Sequence, residues 1–203
     1  MKTIGLTGSS GAGKGEVALL FQKYGIPTVN TDEVYHELLK TDRDMIAELT
    51  AAFGKEILTD GVPDRKKLAK IVFDGNDREN ALHILNEITH KYIMAKTFEK
   101  VRAYEKSGVR AVAVDAPQLF EAGLEHDFDV LLAVLADKDT RLARVSARDG
   151  IDDDAVKARF AAQKSDAFFK EHCQYILQND ADLAALDAAV RAFLQSAAIG
   201  VDL

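Results

Sequence analysis

Short runs of apolar residues alternate along this chain with longer stretches in which apolar residues recur every three or four positions. The short runs predict β-strands and the longer periodic stretches predict α-helices. Strands are expected over residues 3–7, 27–30, 109–114, 130–135 and 175–177. Helices are expected over residues 14–24, 33–53, 64–73, 78–106, 139–148, 152–163 and 183–193. This alternation predicts an α/β fold in which a central parallel sheet lies between layers of helices.

The order of these elements also predicts how the chain is organised. It contains no internal repeat, low-complexity tract or long linker, so we expect a single domain over residues 1–203. Because no strand is expected between residues 33 and 106, this block predicts a helical substrate-binding insert at about 35–106. A second helical segment predicts a short lid at about 139–165, and the core is expected to comprise about 1–34, 107–138 and 166–203. Ligands of open α/β sheets bind at the carboxyl ends of the strands, so we expect the insert and the lid to flank that edge.

The composition limits the class of protein. Of its 203 residues, 47% are hydrophobic and 29% are charged, which is enough apolar content to bury a substantial core. The formal net charge of −7 argues against a nucleic-acid partner or an anionic membrane surface. The single cysteine, Cys173, cannot form an internal disulfide and is expected to be a buried apolar residue. With no signal-type segment and no apolar run of about 18 residues, we expect a cytoplasmic protein that acts on small molecules as a monomer or weak homo-oligomer.

The segment GSSGAGKG at residues 8–15 carries the clearest chemical signal. It lies between the first predicted strand and the first predicted helix, and it matches seven of the eight positions of the phosphate-loop pattern G-x-x-x-x-G-K-[ST]. In such a loop, backbone N–H groups and the N-terminus of the helix bind phosphate. The alternative, a flexible surface turn, is disfavoured by the strand, loop and helix order. The expected ATP-binding residues are Gly8, Gly11, Ala12, Gly13, Lys14, Gly15 and Glu16.

Further segments match a known family in their order and spacing. They comprise Asp32, DRKKL at 64–68, Leu85-Asn86 with His90, PQLFEAGL at 117–124, Arg141-Leu142 with Arg144 and Arg148-Asp149, Gln163 and Asn179. From about residue 3 to residue 179, the chain therefore resembles the dephospho-coenzyme A kinase family. The resemblance implies a P-loop NTPase-type three-layer fold. It also implies Mg²⁺-dependent transfer of the γ-phosphate of ATP to the 3′-hydroxyl of dephospho-coenzyme A, the last step of coenzyme A biosynthesis.

The resemblance implies catalytic roles for four side chains. Phosphoryl transfer depends chiefly on alignment and on positive charge around the transferring group. Lys14 is expected to hold the β- and γ-phosphates. Arg144 and Arg148 lie four positions apart, hence on one helix face, and are expected to stabilise the transferring group; the alternative is an exposed charged face. Asp32 is expected to orient the acceptor hydroxyl and take its proton, the alternative being that it only caps the following helix.

Three further residues are expected to contact the acceptor or the metal. By the resemblance, Arg65 and His90 line the acceptor site, where a guanidinium suits the pyrophosphate of the acceptor. The alternative for His90 is a purely structural hydrogen-bonding role. Asp115 ends a predicted strand and resembles the acidic residue that holds Mg²⁺ through water. Gly15 stands where the loop pattern has a metal-binding hydroxyl, so the metal geometry departs from that pattern.

Two other functions remain open at this point. A nucleoside or nucleotide kinase shares the loop, the arginines and the helical insert, and a Lys-Gly pair such as Lys14-Gly15 is also seen in adenylate-kinase-like loops. The second alternative is a nucleotide-binding module without catalytic activity, because Gly15 and Glu16 depart from the usual loop. A comparison of phosphate acceptors distinguishes these possibilities.

Overall fold

A computed structural model describes residues 1–74 and 77–200 of the chain. The predicted insert and the predicted last core segment include residues 75–76 and 201–203, which lie outside the described residues. The strands are β1 Lys2–Gly8, β2 Thr28–Asn30, β3 Leu58–Thr59, β4 Val62–Pro63, β5 Ala111–Asp115, β6 Val130–Leu135 and β7 Tyr175–Gln178. The helices are α1 Lys14–Lys23, α2 Thr31–Thr41, α3 Arg43–Phe53, α4 Arg65–Asp74, α5 Arg78–Lys106, α6 Lys138–Asp149, α7 Asp153–Ala161, α8 Asp166–His172 and α9 Leu183–Ser196.

The central sheet has the strand order β2-β5-β1-β6-β7. Strand β1 pairs in parallel with both β5 and β6, and β6 pairs in parallel with β7. Parallel neighbours need long crossover connections, which is why helical segments separate these strands in the sequence. The predicted α/β fold with a central parallel sheet is confirmed.

Both faces of this sheet are covered, which explains the continuous apolar runs of β5 and β6. Every residue of these two strands is buried. On one face, the strands pack against α1 and α9 in a cluster that includes Leu6, Leu132, Phe21 and Val190. On the other face, a Cβ on Gly5 of β1 would lie 2.8 Å from side-chain atoms of Leu119 and Phe128. Close packing on both faces therefore fixes β1, the strand that leads into the phosphate loop.

The chain divides into two compact units, Met1–Val29 with Val101–Leu203 and Asn30–Lys100. The first unit contains β1, β5, β6 and β7 with the helices that pack on them. The second contains α2, α3, the paired strands β3 and β4, α4 and most of α5. Within residues 1–74 and 77–200, none of the helices has the length and apolar character needed to span a membrane.

Two sequence predictions for the second unit are wrong. A hairpin of β3 and β4 interrupts the block that was expected to contain no strand. Its turn residues, Asp60 and Gly61, have φ angles of 51° and 79°, which suit the two-residue hairpin turn that Asp-Gly favours. The helix expected over residues 33–53 is two helices, because Asp42 has an extended backbone and its side chain accepts the Met45 N–H at the start of α3.

Helix α8 lies where no helix was expected. It has seven residues, too few for a clear apolar period, and Ser165 begins it by accepting the Phe168 N–H. Within the helix, the rings of Phe168 and His172 stack with their centres 4.0 Å apart. The consequence for the site is that the first residue of α8, Asp166, contacts the phosphate loop.

Candidate active site

The phosphate loop leads from β1 into α1, and two of its glycines are required by close neighbours. Gly8 has a φ of +133°, and a Cβ on it would lie 2.1 Å from the carbonyl oxygen of Val134. Gly13 has a φ of +96°, and its Cβ would lie 2.3 Å from Asn179 Nδ2. A side chain at either position would strain the backbone and displace its neighbour. The glycines of the pattern therefore allow the loop to fold against β6 and Asn179.

The N-terminus of α1 provides positive charge next to this loop. Gly13 is the N-cap residue and has no side chain to accept the N–H groups of the first turn. Such N–H groups, together with the positive end of the helix dipole, form an anion-binding site. Lys14 Nζ donates to the Gly8 carbonyl oxygen at 3.3 Å, so the ammonium group lies over the loop. Charge and hydrogen-bond donors of this kind suit the phosphates of a nucleotide.

Side chains from distant parts of the chain hold the carbonyl groups of the loop. Asn179 Nδ2 donates to the Ala12 carbonyl oxygen at 2.8 Å. Arg144 Nη1 donates to the carbonyl oxygens of Asn179 at 3.1 Å and Gly11 at 3.5 Å. Arg144 therefore lies against the loop, while its action on a phosphate stays a prediction. Asn179 matched the family spacing in the sequence but had no role assigned to it.

The first part of the loop contacts the segment between α7 and α8. Ser9 Oγ donates to Asp166 Oδ1 at 2.9 Å, and the Ser10 N–H donates to Gln163 Oε1 at 3.1 Å. Arg141 Nη2 lies 3.7 Å from the same Asp166 oxygen. The loop pattern does not point to these contacts, because Ser9 and Ser10 occupy positions where the pattern accepts any residue. They connect the loop to the end of the predicted lid.

Arg148 has different partners from Arg144, although both belong to α6. Its side chain is 61% exposed and donates to both carboxylate oxygens of Asp149, at 2.7 and 3.0 Å. Asp149 also pairs with Arg159 of α7. Hydrogen bonds from these two guanidinium groups hold the pKa of the Asp149 carboxyl well below its usual range. Arg148 is thus engaged within the α6 and α7 pair in this conformation.

Asp115 is the candidate metal ligand. It is the last residue of β5 and is 7% exposed. It lies in register with Leu6 of β1, and Leu6 comes just before the loop in the sequence. Its carboxylate is the type of ligand that Mg²⁺ prefers. Among residues 1–74 and 77–200, no group of three or more His, Cys, Asp or Glu side chains is arranged to hold a metal ion. Asp115 therefore offers an oxygen ligand of the kind that Mg²⁺ accepts, without a cluster of three such side chains among these residues.

Gly15 and Glu16 are exposed in the first turn of α1. Nothing lies within 4 Å of a Cβ built on Gly15, so packing does not require glycine there. Gly15 supplies no metal ligand, whereas Glu16 places a carboxylate at the positive end of the helix.

In the second unit, Asp32 is the second residue of α2, and Asn30 caps that helix. Asn30 Oδ1 accepts the N–H groups of Asp32 at 2.8 Å and Glu33 at 3.2 Å. The alternative that Asp32 serves only as the helix cap is therefore wrong. The Asp32 residue is exposed in the first turn of α2.

Arg65 lines a cavity of about 230 Å³ in the second unit. His36 and Lys40 of α2 line it too, and the remaining walls are apolar, formed by Leu39, Val62 and Pro63. Partial burial raises the pKa of the adjacent Tyr35 hydroxyl, and the positive charge of Arg65 opposes that rise. The cavity thus combines positive charge with apolar walls, as a phosphorylated organic ligand requires. His36 and Lys40 do not stand out in the sequence, because they fall on an ordinary amphipathic helix.

The candidate residues are divided between the units. The first unit brings together Lys14, Arg144 and the loop. Asp115 and Arg148 also belong to the first unit, whereas Asp32, Arg65 and His90 belong to the second. His90 is half-buried on α5. The roles of all these residues in catalysis or binding stay predictions.

The chain is similar to proteins of one family along most of its length. A family model described as dephospho-CoA kinase matches residues 2–185. A dephospho-CoA kinase of Geobacillus kaustophilus is 36% identical over 162 residues, which are 79% of this chain and 79% of that protein. The structure is similar to TT1252 from Thermus thermophilus, with a TM-score of 0.80 and 29% identity over 96% of this chain and 97% of the other. Shikimate kinase from Bacteroides thetaiotaomicron shares the fold, with a TM-score of 0.52 and 16% identity over 96% and 97% of the two chains.

Proposed function

The chain belongs to the dephospho-CoA kinase family, and we propose that it transfers the γ-phosphate of ATP to the 3′-hydroxyl group of dephospho-coenzyme A. The acceptor oxygen forms a bond to the γ-phosphorus, the bond from that phosphorus to the bridging oxygen of ADP breaks, and a base takes the hydroxyl proton. The products are coenzyme A and ADP. The observation that carries the proposal is the phosphate loop between β1 and α1, with Lys14 over it, in a chain of this family.

The loop is proposed as the donor site. The transition state of phosphoryl transfer is loose and spreads charge over the equatorial oxygens, so fixed positive groups stabilise it. Lys14 and the N–H groups of the first turn of α1 supply this charge at the β- and γ-phosphates. The bonds from Arg144 to loop carbonyls support a role for its guanidinium at the same phosphates. Arg148 is paired with Asp149, so it contributes only if that pair opens when the lid closes.

The second unit is proposed as the acceptor site. Arg65, with Lys40 and His36, binds the pyrophosphate of the acceptor, and the apolar walls of the cavity receive part of its organic chain. We assign His90 to the same acceptor site on the family resemblance. Asp32 takes the proton from the 3′-hydroxyl group as the new bond forms. The capping of α2 by Asn30 supports this role, because the helix does not need the Asp32 carboxylate as its cap.

Magnesium is proposed to accompany ATP. Asp115 would hold the ion through water, and the phosphate oxygens of ATP would supply its other ligands. When bound, the ion neutralises phosphate charge and orients the triphosphate. Gly15 offers no hydroxyl group, so the contribution of this chain to metal binding is smaller than that of the usual loop.

The test is ADP release by the purified protein with ATP and Mg²⁺, in the presence of different acceptors. The panel contains dephospho-coenzyme A, adenosine, AMP, CMP, shikimate and a sample without acceptor, with Lys14→Ala as the inactive control. We expect release with dephospho-coenzyme A alone, and coenzyme A as the product. Release driven by AMP or CMP instead would identify a nucleotide kinase. ATP binding without turnover of any acceptor would identify a non-catalytic module.

A further inference from the structure

Asn179 connects three parts of the first unit to the phosphate loop. It follows β7 and is 5% exposed. Its N–H donates to the Leu135 carbonyl oxygen at the end of β6, at 2.8 Å, so its backbone is anchored to the sheet. Its carbonyl oxygen accepts from Arg144 of α6, and its side-chain amide donates to the Ala12 carbonyl oxygen. The amide is therefore held rigidly against the loop from outside the sequence motif.

The bond to Ala12 determines the orientation of one peptide group of the loop. The C=O and N–H groups of a trans peptide point in opposite directions. When Asn179 Nδ2 holds the Ala12 carbonyl oxygen, the N–H of Gly13 must point away from Asn179. Gly13 is the N-cap residue of α1, so this N–H is one of the donors at the helix N-terminus that have no partner within the helix. The orientation of this peptide group is thus set by a side chain 167 positions away in the sequence.

The fit between Asn179 and the loop is close and chemically specific. A Cβ built on Gly13 would lie only 2.3 Å from Asn179 Nδ2. The Asn179 side chain therefore contacts Gly13 directly, with no room for a water molecule between them. An aspartate of the same shape would place a carboxylate oxygen against the Ala12 carbonyl oxygen, and the two acceptors would repel each other. An amide provides the donor without adding charge near the phosphates.

We propose that Asn179 is a positioning residue of the nucleotide site, which holds the Ala12 and Gly13 peptide group in its phosphate-binding orientation. The inference rests on the proposed nucleotide site, but it does not depend on which acceptor is phosphorylated. Because Asn179 acts on the loop backbone, its removal weakens the binding of the phosphates of ATP. The binding of adenosine, which has no phosphate, is not affected.

The test compares Asn179→Asp and Asn179→Ala with Gln178→Glu. The control makes the same amide-to-carboxylate change at the preceding residue, whose side chain donates to Asp180 rather than to the loop. The affinities of each folded variant for ATP and for adenosine are measured by titration calorimetry, with folding checked by circular dichroism. We expect ATP affinity to fall about tenfold to hundredfold in both Asn179 variants, since a buried hydrogen bond is lost at the phosphate site. Adenosine affinity, and both affinities of the control, should not change.

Two results would overturn the inference. One is an ATP affinity within about twofold of the parent protein in a folded Asn179 variant. The other is an equal loss of ATP and adenosine affinity, which would assign Asn179 to the fold in general. If the aspartate variant fails to fold, the alanine variant, which adds no charge, carries the test. If ATP binding depends on Asn179 but dephospho-coenzyme A is not phosphorylated, the inference stands and the proposed acceptor is wrong.

Discussion

Replacement of Gly15 by alanine should stabilise this protein, in contrast to replacement of Gly13. Gly15 is the second residue of α1, nothing lies within 4 Å of its built Cβ, and its φ is outside the left-handed region. Glycine in a helix is less favourable than alanine by up to about 1 kcal/mol, and a compatible Gly→Ala change stabilises by about 0.4–1 kcal/mol. We therefore expect Gly15→Ala to raise the free energy of unfolding by about 0.5–1 kcal/mol. For a chain of this length, that is an increase in Tm of about 1–4 °C.

The assay is urea and thermal unfolding of the protein without nucleotide, followed by circular dichroism. Gly13→Ala is the matched control, since it makes the same chemical change two positions earlier. Its φ of +96° and the 2.3 Å approach to Asn179 Nδ2 predict a loss of stability, of about 1–3 kcal/mol from backbone strain alone. A Gly15→Ala protein that is less stable than the parent would refute the reasoning, because it would show that the position is neither open nor helical.

Four further predictions concern chemistry. Gly15→Ser, which adds the hydroxyl group of the usual loop, should lower the Mg²⁺ concentration needed for half-maximal activity, whereas an unchanged requirement would mean that the hydroxyl does not reach the metal. Asp32→Asn should reduce kcat by about 10²-fold to 10⁴-fold while ATP affinity is retained, and near-normal turnover would rule out its role as base. Arg144→Ala should weaken ATP binding, whereas Arg148→Ala should lower kcat alone. Steady-state kinetics in which both variants change the same parameter would contradict the different roles that we infer from their different partners. Burial raises the pKa of the Cys173 thiol to about 11, so a disulfide reagent at pH 8 should react slowly with the native protein and rapidly after unfolding.

The elements predicted most accurately from the sequence are those with a local pattern of apolar residues that extends over many positions. The strand over residues 130–135 and the helix over 78–106 have the predicted bounds, because a continuous apolar run and an uninterrupted helical stretch carry their own signal. The phosphate loop was identified for the same reason, since its glycines and lysine are neighbours in sequence. The β3-β4 hairpin was missed because two-residue strands are too short to show a period, although Asp60-Gly61 was an available turn signal.

The environment of the loop could not be predicted from the sequence in the same way. Three side chains contact the loop from at least 153 positions away in the sequence, those of Asn179, Asp166 and Gln163. Such contacts depend on how the strands and helices pack, which no local pattern records. Arg144 and Arg148 illustrate the limit, because their spacing predicts one helix face but does not predict that only one of them holds loop carbonyls.

The departure of this chain from the usual loop pattern at Gly15 is consistent with an intact phosphate site, because the two functions of the loop have separate structural supports. The path of the backbone from Gly8 to Gly13 is fixed by neighbours that tolerate no side chain and by the bond from Asn179. Gly15 lies beyond this fixed part, on an exposed turn of helix with open space around it. A change at Gly15 therefore alters what the chain offers to the metal without displacing the N–H groups that bind phosphate. Metal dependence can vary within such a loop while its phosphate geometry is preserved.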